Sequence, residues 1–208
     1  MADHPTSRRD PPRATIRRLP RYLRALETAP DLASISSEEL ATAADTNAAI
    51  VRRDMSLLGF SGVRGVGYDV ATLRTLIRSE LGLTADVRVA VVGAGNLGRA
   101  LANYGGFGRR GFRVVALYDN DPTKVGEEVA GVPVFDLDAL TPGTNIDIGI
   151  IATPGSVAQE VAERLAAAEV RSILNFAPTR IRPGNGVEVR QVDLSTELQI
   201  LSYYRSHG

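Results

Sequence analysis

Gly93-Ala94-Gly95-Asn96-Leu97-Gly98 follows an apolar run, Val87–Val92, and opens a stretch with helical character. The spacing Gly-x-Gly-x-x-Gly between a strand and a helix is typical of the turn that binds the pyrophosphate of a dinucleotide. In this interpretation Gly93 makes the turn, Gly95 lets the backbone approach the phosphates, and Gly98 lets the helix pack closely on the strand. The free N–H groups of the helix start favour an anion. The six residues are therefore candidate cofactor-binding residues of a Rossmann-type α/β domain.

An acidic residue follows the next predicted strand, Arg113–Tyr118. This residue, Asp119, lies 21 residues beyond Gly98, which is the distance expected of the acid that binds the adenosine ribose. A carboxylate there accepts hydrogen bonds from the ribose hydroxyls and repels a 2′-phosphate. The pattern favours NAD(H) over NADP(H). The alternative interpretation is a glycine-rich turn that binds nothing.

Apolar strands alternate with helices over the rest of this region, which predicts a parallel, doubly wound sheet. We expect the helix after Gly98 to run to about Phe107, and further helices over 122–129 and 156–168. Ligands of such sheets bind beyond the carboxyl ends of the strands. Candidate cofactor neighbours follow the strands predicted over 146–152 and 172–176: Thr153, Pro154 and Asn175. Each is equally well explained as part of an ordinary loop.

Composition excludes several kinds of chemistry. The 208 residues contain no cysteine, and their formal net charge is zero. Disulfides, thiolate zinc sites and a cysteine nucleophile are therefore excluded. Histidine occurs only near the ends, as His4 and His207, so we expect no metal site. Tyr104 and Asp193 are the remaining acid–base candidates. We therefore expect a site that binds a dinucleotide but does not catalyse hydride transfer to or from it.

No apolar run is long enough to cross a membrane, and the polar N-terminus does not resemble a secretory signal. A cytoplasmic protein with no membrane partner is expected. The first 26 residues carry seven arginines and two aspartates, a local excess of five positive charges. A general bias toward arginine explains the single lysine of the chain, Lys124, but not this clustering.

The N-terminal segment predicts a winged helix-turn-helix. A disordered arm is expected over 1–13, followed by a helix over 14–28 in which Pro20 lies in a first turn or at a kink. A capping box of Ser36 and Glu39 starts a second helix of about ten residues, and a third helix is expected over 48–58. Asn47 is the N-cap of the third helix. That helix carries two arginines, Arg52 and Arg53.

Four glycines among nine residues, Gly59 to Gly67, surround Arg64 and predict a hairpin-like wing behind the third helix. Arg52 and Arg53 are candidates for contacts with base edges and phosphates in the major groove, and Arg64 for the minor groove. A solvent-exposed helix face is the alternative for the arginine pair. An amphipathic helix over 69–81 leads to a boundary at 82–86. We therefore divide the chain into a DNA-binding domain over 14–82, a Rossmann domain over 83–192, and a C-terminal helix over 193–208.

These motifs occur in an order that resembles the bacterial redox-sensing repressor family Rex. The resemblance runs from about Ala14 to Arg205 and rests on seven segments: 36–40, 51–54, 64–68, 93–98, 131–134, 173–176 and 192–194. It implies a homodimer with a domain-swapped C-terminal helix. It also implies that the protein binds double-stranded operator DNA with an inverted repeat when NADH is scarce, with NAD(H) as a bound effector. Asn47, Arg52, Arg53 and Arg64 are then the DNA-binding residues.

The resemblance also implies a switch. Arg24, Tyr104 and Asp193 match the family's switch residues, in which the aspartate of one subunit pairs alternately with the arginine or with the tyrosine beside the nicotinamide. The sequence departs from the family at Leu57 and Leu58, where Tyr-Phe is usual, and at Val63, where threonine is usual. These departures bear on operator preference and leave the class of activity unchanged.

Two other functions agree with part of the pattern. An NAD-dependent oxidoreductase with an accessory N-terminal domain would explain the glycine turn, but the missing internal histidine argues against it. A CoA- or nucleotide-binding module that assembles with an enzyme would explain the sheet, but not Asp119 or the winged segment.

Overall fold

The computed structural model describes residues 11–28 and 32–207. The chain forms two compact units that divide between Thr84 and Ala85. The N-terminal ten residues, which include most of the predicted disordered arm, lie outside the described residues. Arg13 already belongs to the first helix.

The N-terminal unit is a small helical domain with a two-stranded antiparallel sheet. Its elements are α1 (Arg13–Thr28), β1 (Ser34–Ile35), α2 (Ser37–Ala43), α3 (Ala48–Leu57), β2 (Tyr68–Asp69) and α4 (Val70–Glu80). The predicted caps form: Ser36 and Glu39 complete the capping box of α2, and the Asn47 side chain accepts from the Ile50 amide. Helix α2 has seven residues and not about ten, because the chain turns left-handed at Asp45, with φ 52°.

Pro20 lies in the interior of α1, beyond the first turn. It cannot donate to the Ile16 carbonyl, so one helical hydrogen bond is missing there. The helix persists because one face is buried, including Leu19, Tyr22 and Leu26. Burial of such a face supplies most of the stability of a helix in a protein.

A buried carboxylate joins α3 to α1. Asp54 is fully buried and accepts hydrogen bonds from the Thr15 hydroxyl at 2.9 Å, the Tyr22 hydroxyl at 2.7 Å, and Arg18 Nε and Nη2 at 2.6 and 2.7 Å. Burial alone would raise the pKa of Asp54, but these donors outweigh it and lower the pKa. The carboxylate is therefore charged near neutral pH. This cluster fixes the orientation of α3 against α1.

The predicted wing is a short hairpin. Val63 and Gly67 exchange two backbone hydrogen bonds, of 2.7 and 2.9 Å, around a loop of three residues. A Cβ on Gly67 would overlap the carbonyl group of Ile35, so only glycine lets the hairpin approach β1 so closely. Arg64 stands in the exposed loop of this hairpin.

The C-terminal unit is built on a seven-stranded sheet. Its strands are β3 (Val87–Val92), β4 (Phe112–Asp119), β5 (Glu128–Val129), β6 (Val132–Asp136), β7 (Ile148–Ile151), β8 (Ser172–Asn175) and β9 (Glu188–Gln191). The spatial order is β5-β6-β4-β3-β7-β8-β9, and every neighbouring pair is parallel except β5 and β6. Without the short β5 this is the Rossmann strand order 3-2-1-4-5-6. The topology reverses between β3 and β7, where such folds bind ligands.

Helices α5 (Asn96–Ala102), α6 (Ala158–Ala167) and α7 (Leu194–His207) belong to this unit. The prediction that α5 reaches Phe107 is wrong. The helix ends at Ala102, and the chain continues through a turn that contains Gly105 and Gly106.

The predicted helix over 122–129 is also wrong. The carbonyl of Asp121 accepts from the Lys124 amide in a turn, and Gly126 adopts φ 86°. The Gly126 amide donates to the Val134 carbonyl, and β5 pairs with β6. Pairing with a neighbouring strand has overridden the local helical preference.

Apolar side chains cover both faces of the sheet, and α6 packs on one of them through Val161 and Leu165. Helix α7 is different, because none of its residues is buried. Over residues 11–28 and 32–207 there is no helix long and apolar enough to span a membrane. The same residues contain no group of histidine, aspartate or glutamate side chains arranged to hold a metal ion.

Candidate functional site

The glycine turn after β3 is closely packed except where a ligand would lie. Gly93 has φ 104°, and a Cβ there would lie 2.6 Å from the Ala152 carbonyl oxygen. A Cβ on Gly98 would overlap the Gly93 carbonyl oxygen, so helix α5 can approach the turn only with glycine at this position. A Cβ on Gly95 would meet nothing within 4 Å. The middle glycine therefore faces open space, as expected of the position that phosphates approach.

Asp119 ties the turn to the end of β4. Its Oδ2 accepts from the Ala94 amide at 2.7 Å and from Lys124 Nζ at 3.1 Å, and its Oδ1 accepts from the Asp121 amide at 2.9 Å. Burial opposes ionisation, but the two amides and the ammonium group outweigh it and lower the pKa of Asp119. A carboxylate has about four lone-pair sites. Three are used, so capacity remains for about one ribose hydroxyl.

A cavity of about 440 Å³ opens at the carboxyl ends of β3, β4 and β7. This is within the usual range for a small-molecule site. Among its lining residues are five of the predicted ones: Gly93, Gly95, Asp119, Thr153 and Pro154. They come from the ends of three strands and the loops that follow them, which the sheet topology brings together.

The Thr153 hydroxyl is buried and has no hydrogen-bond partner within the described chain. An unpaired buried hydroxyl is unfavourable, and a native structure that contains one calls for an explanation. A polar ligand atom in the adjoining cavity would supply the partner. Together with the space at Gly95, this is the structural sign that the site fits a dinucleotide.

The other predicted cofactor residues contribute differently. Ala94 is buried and offers its amide to Asp119, while Asn96 and Leu97 form the exposed first turn of α5. Asn175 is fully buried. Within the described part of the chain it is not one of the residues that line the cavity. Its amide group donates to the Thr179 carbonyl and to Gln191, and its side-chain oxygen accepts from the Ala177 amide. Asn175 thus shapes the loop after β8.

Sequence reasoning assigned no binding role to Lys124 and Asp121, which both line the cavity. Lys124 Nζ lies 3.1 Å from Asp119 and 3.6 Å from Asp121. Its pKa is raised, chiefly by the hydrogen bond to Asp119. The trio carries one net negative charge, which disfavours a 2′-phosphate. The available signal was the single lysine of the chain standing five residues after the predicted ribose-binding acid.

The candidate DNA-binding face lies on the N-terminal unit. Arg52 on α3 is exposed, and its Nη1 donates to the Ser37 hydroxyl and to Glu38 Oε1, both at 2.9 Å. An exposed ion pair of this kind contributes little to the stability of the fold. A phosphate or base edge can therefore take over the guanidinium at small cost.

The remaining candidates for DNA contact, Arg53 and Arg64, are both exposed, on α3 and on the wing. Asn47 is exposed as well, but its side-chain oxygen is already used to cap α3. Asp54 lies directly after the arginine pair, in segment 51–54, and the sequence assigned it no role. In the structure Asp54 accepts hydrogen bonds from three residues of α1 and so holds α3 against it. The sequence signal for this role was an acidic residue inside a helix that carries arginines.

The three predicted switch residues are all exposed. Arg24 lies on α1. Tyr104 follows α5 and packs edge-on against Phe107, with ring centroids 5.0 Å apart. Asp193 precedes α7, and its carboxylate accepts from the hydroxyls and amides of Ser195 and Thr196. These hydrogen bonds lower the pKa of Asp193, and the bond from the Ser195 hydroxyl has the largest effect.

Comparison with known proteins gives relatives over nearly the whole chain. It is 55% identical over 204 residues to the redox-sensing transcriptional repressor Rex of Streptomyces avermitilis, with 96% of this chain and 81% of that protein covered. It is 43% identical over 197 residues to the Rex of Carboxydothermus hydrogenoformans, with 92% and 95% covered. A family model described as CoA binding domain matches residues 84–179, and a model for the N-terminus of a DNA-binding protein matches residues 12–56.

Solved structures are similar in the same way. The Rex-family repressor RSP in complex with β-NAD+ and operator DNA has a TM-score of 0.86 at 36% identity, with 93% of this chain and 92% of that chain covered. RSP in complex with β-NADH has a TM-score of 0.81 at 36% identity, with 94% of each chain covered. The fold class predicted from the sequence, a DNA-binding domain followed by a Rossmann-type sheet, is confirmed.

Replacement of Thr153 by valine tests the cavity. We expect the free energy of unfolding to stay the same or to rise slightly, because a methyl group replaces an unpaired buried hydroxyl. Affinity for NADH should fall by about tenfold, since the ligand loses a hydrogen-bond partner worth about 1 kcal/mol or more. Urea unfolding and NADH fluorescence titration measure the two effects. Thr144→Val, outside the cavity lining, is the control. Unchanged NADH affinity in Thr153→Val would contradict the assignment.

Proposed function

This chain belongs to the Rex family of redox-sensing transcriptional repressors, and from that premise we propose how it works. It binds an inverted-repeat operator when NADH is scarce and leaves the operator when NADH accumulates. The protein is a repressor and not an enzyme. One observation carries the proposal: a single chain combines an arginine-bearing recognition helix, α3, with an open glycine turn at the switch point of a Rossmann sheet. The oxidoreductase alternative gains no support from these relatives.

The DNA side of the proposal assigns α3 to the major groove. Arg52 and Arg53 read base edges and phosphates there, Arg64 on the wing enters the minor groove, and Asn47 contacts DNA at the start of α3. The clamp of Asp54 on α1 supports this assignment, because a recognition helix must be held rigidly to place its side chains. In DNA-free protein, Glu38 and Ser37 hold Arg52 until DNA replaces them.

The cofactor side assigns NAD(H) to the cavity as a bound effector. Gly93 to Gly98 hold the pyrophosphate, Asp119 accepts from the ribose, and Thr153 and Pro154 lie at the β7 side. The open space at Gly95 and the unpaired Thr153 hydroxyl support this arrangement. The net charge of Asp119, Asp121 and Lys124 supports discrimination against NADP(H).

Discrimination between the two redox forms follows from burial. When bound, the dinucleotide supplies a nicotinamide ring that is positively charged if oxidised and neutral if reduced. Apolar side chains line the cavity near β7 and α6: Ala152, Pro154, Val157 and Val161. Glu160, in the same wall, pairs with Arg164 at 3.2 Å. Apolar surroundings disfavour an unpaired charge, so this wall favours the reduced form.

The switch is assigned to Arg24, Tyr104 and Asp193 on the strength of the family resemblance. In this account Asp193 pairs with Tyr104 when NADH is bound, and with Arg24 when it is not. Asp193 offers an exposed carboxylate, which can accept from the Arg24 guanidinium or from the Tyr104 hydroxyl. Four donors of Ser195 and Thr196 already occupy this carboxylate, so at least one of these hydrogen bonds must open before Arg24 or Tyr104 can pair with it.

We also propose a homodimer with a domain-swapped α7, acting in the cytoplasm. Large apolar side chains on α7 are exposed: Leu194, Leu198, Ile200, Leu201, Tyr203 and Tyr204. An apolar groove of about 330 Å³ lies on the same unit, lined by Val89, Phe107, Phe112, Ile148, Ile150 and Leu174 among others. Exposed apolar side chains and apolar grooves of this kind are typical of interaction surfaces. A second copy that contributes its own α7 would cover it.

The redox response is tested on a DNA duplex that holds an inverted repeat from the chain's own promoter region. NADH should weaken operator binding by about 5–150-fold, the usual size of such a coupling, while NAD+ and NADPH have little effect. Fluorescence anisotropy titrations measure each affinity. Arg52→Ala is the DNA-binding control, and its free energy of operator binding should be weaker by about 1–3 kcal/mol. Operator binding that is indifferent to NADH would contradict the proposal.

The dimer is tested by sedimentation equilibrium. The native chain should be dimeric at micromolar concentration, and the double change Leu198→Asp with Leu201→Asp should weaken the dimer at least about tenfold, because two charges would enter an apolar interface. Glu197→Gln on the same helix is the control. A monomeric native chain, or an unaffected double variant, would refute the swapped helix.

A further inference from the structure

Two adjacent glycines lie in the turn that follows α5 and carries Tyr104. The turn runs from Tyr104 to Phe107 and is closed by the Phe107 amide, which donates to the Tyr104 carbonyl at 3.1 Å. Gly105 and Gly106 occupy its two central positions. Neither adopts a positive φ, so the backbone conformation does not require glycine at either place.

The two glycines differ in what a side chain would meet. A Cβ on Gly105 would have nothing within 4 Å. A Cβ on Gly106 would overlap the ring carbons Cε1 and Cζ of Tyr104 and lie 2.5 Å from its hydroxyl oxygen. The ring of Tyr104 therefore lies directly over the backbone of Gly106. The Tyr104 ring, and not the turn, occupies the space that a side chain at 106 would need.

The tyrosine has few other constraints. Tyr104 is 49% exposed, and its ring packs edge-to-face with that of Phe107, at an interplanar angle of 85°. The overlap would fall on the far end of a flexible side chain. A methyl group at 106 can therefore be accommodated by rotation of the ring, which moves the hydroxyl while the fold stays intact.

We propose that Gly106 is a positioning residue that sets the place of the Tyr104 hydroxyl and thereby the strength of the response to NADH. The inference rests on the proposed function, in which Tyr104 receives Asp193. A switch of this kind depends on the difference in contact energy between two states, and displacement of the receiving hydroxyl weakens one of them.

The experiment compares Gly106→Ala with Gly105→Ala, two identical changes in one turn. The readout is the ratio of operator dissociation constants with and without NADH, and Tyr104→Phe is the reference for loss of the hydroxyl contact. We expect Gly106→Ala to reduce this ratio about fivefold or more, toward that of Tyr104→Phe, on a native scale of about 5–150. Gly105→Ala should keep the native ratio. Melting temperatures of the two alanine variants should agree within about 2 °C, which excludes general destabilisation as the cause.

Position and response are measured separately. With tyrosine rings labelled by ¹³C, the Tyr104 resonances should shift in Gly106→Ala and stay in place in Gly105→Ala. Unmoved resonances, or equal effects of the two alanine variants, would overturn the inference. If Tyr104→Phe keeps the native NADH ratio, the proposed switch has failed at Tyr104 itself. If Tyr104→Phe loses the response while Gly106→Ala keeps it, the inference about Gly106 has failed and the switch stands.

Discussion

The hydrogen bond from the Ala94 amide to the Asp119 carboxylate holds the glycine turn against the end of β4, and the candidate site depends on it. The carboxylate is kept charged by a second amide and by Lys124, so it is a strong acceptor. Gly93 and Gly98 then allow backbone contacts too close for any side chain. The turn is fixed before a ligand arrives, which reduces the entropy lost on binding. Open space at Gly95 and the unpaired Thr153 hydroxyl remain for the ligand.

The N-terminal unit uses a buried carboxylate in the same way. Asp54 gathers donors from α1 and sets the angle of α3, much as Asp119 sets the glycine turn. Removal of a donor would leave a buried carboxylate with fewer partners, which is unfavourable, so both clusters resist local change. By contrast, Arg52 is held on the surface by Glu38, where exchange of partners is cheap. Helix α3 is thus held rigidly by Asp54, while Arg52 on its surface can exchange Glu38 for another partner.

Local chemistry explains which elements the sequence predicted. The caps at Ser36 and Asn47, and the strand–turn–helix at Gly93, depend on nearby residues, and they form as expected. The helix predicted over 122–129 fails because Gly126 pairs with Val134 of another strand. The side chain of Asn175 makes its hydrogen bonds within the loop after β8, and a position at a strand end does not predict such contacts. The role of Gly106 depends on where the Tyr104 ring folds back, which no spacing rule specifies.

The central claim is that one polypeptide couples operator binding to the redox state of a nicotinamide dinucleotide. Such a coupling is reciprocal, because the free energy that links two ligands is shared by both. The most direct test is calorimetric titration of NADH into the protein alone and into the protein saturated with operator. The account predicts weaker NADH binding on the operator, by the same factor by which NADH weakens operator binding. Equal NADH dissociation constants in the two titrations would contradict it.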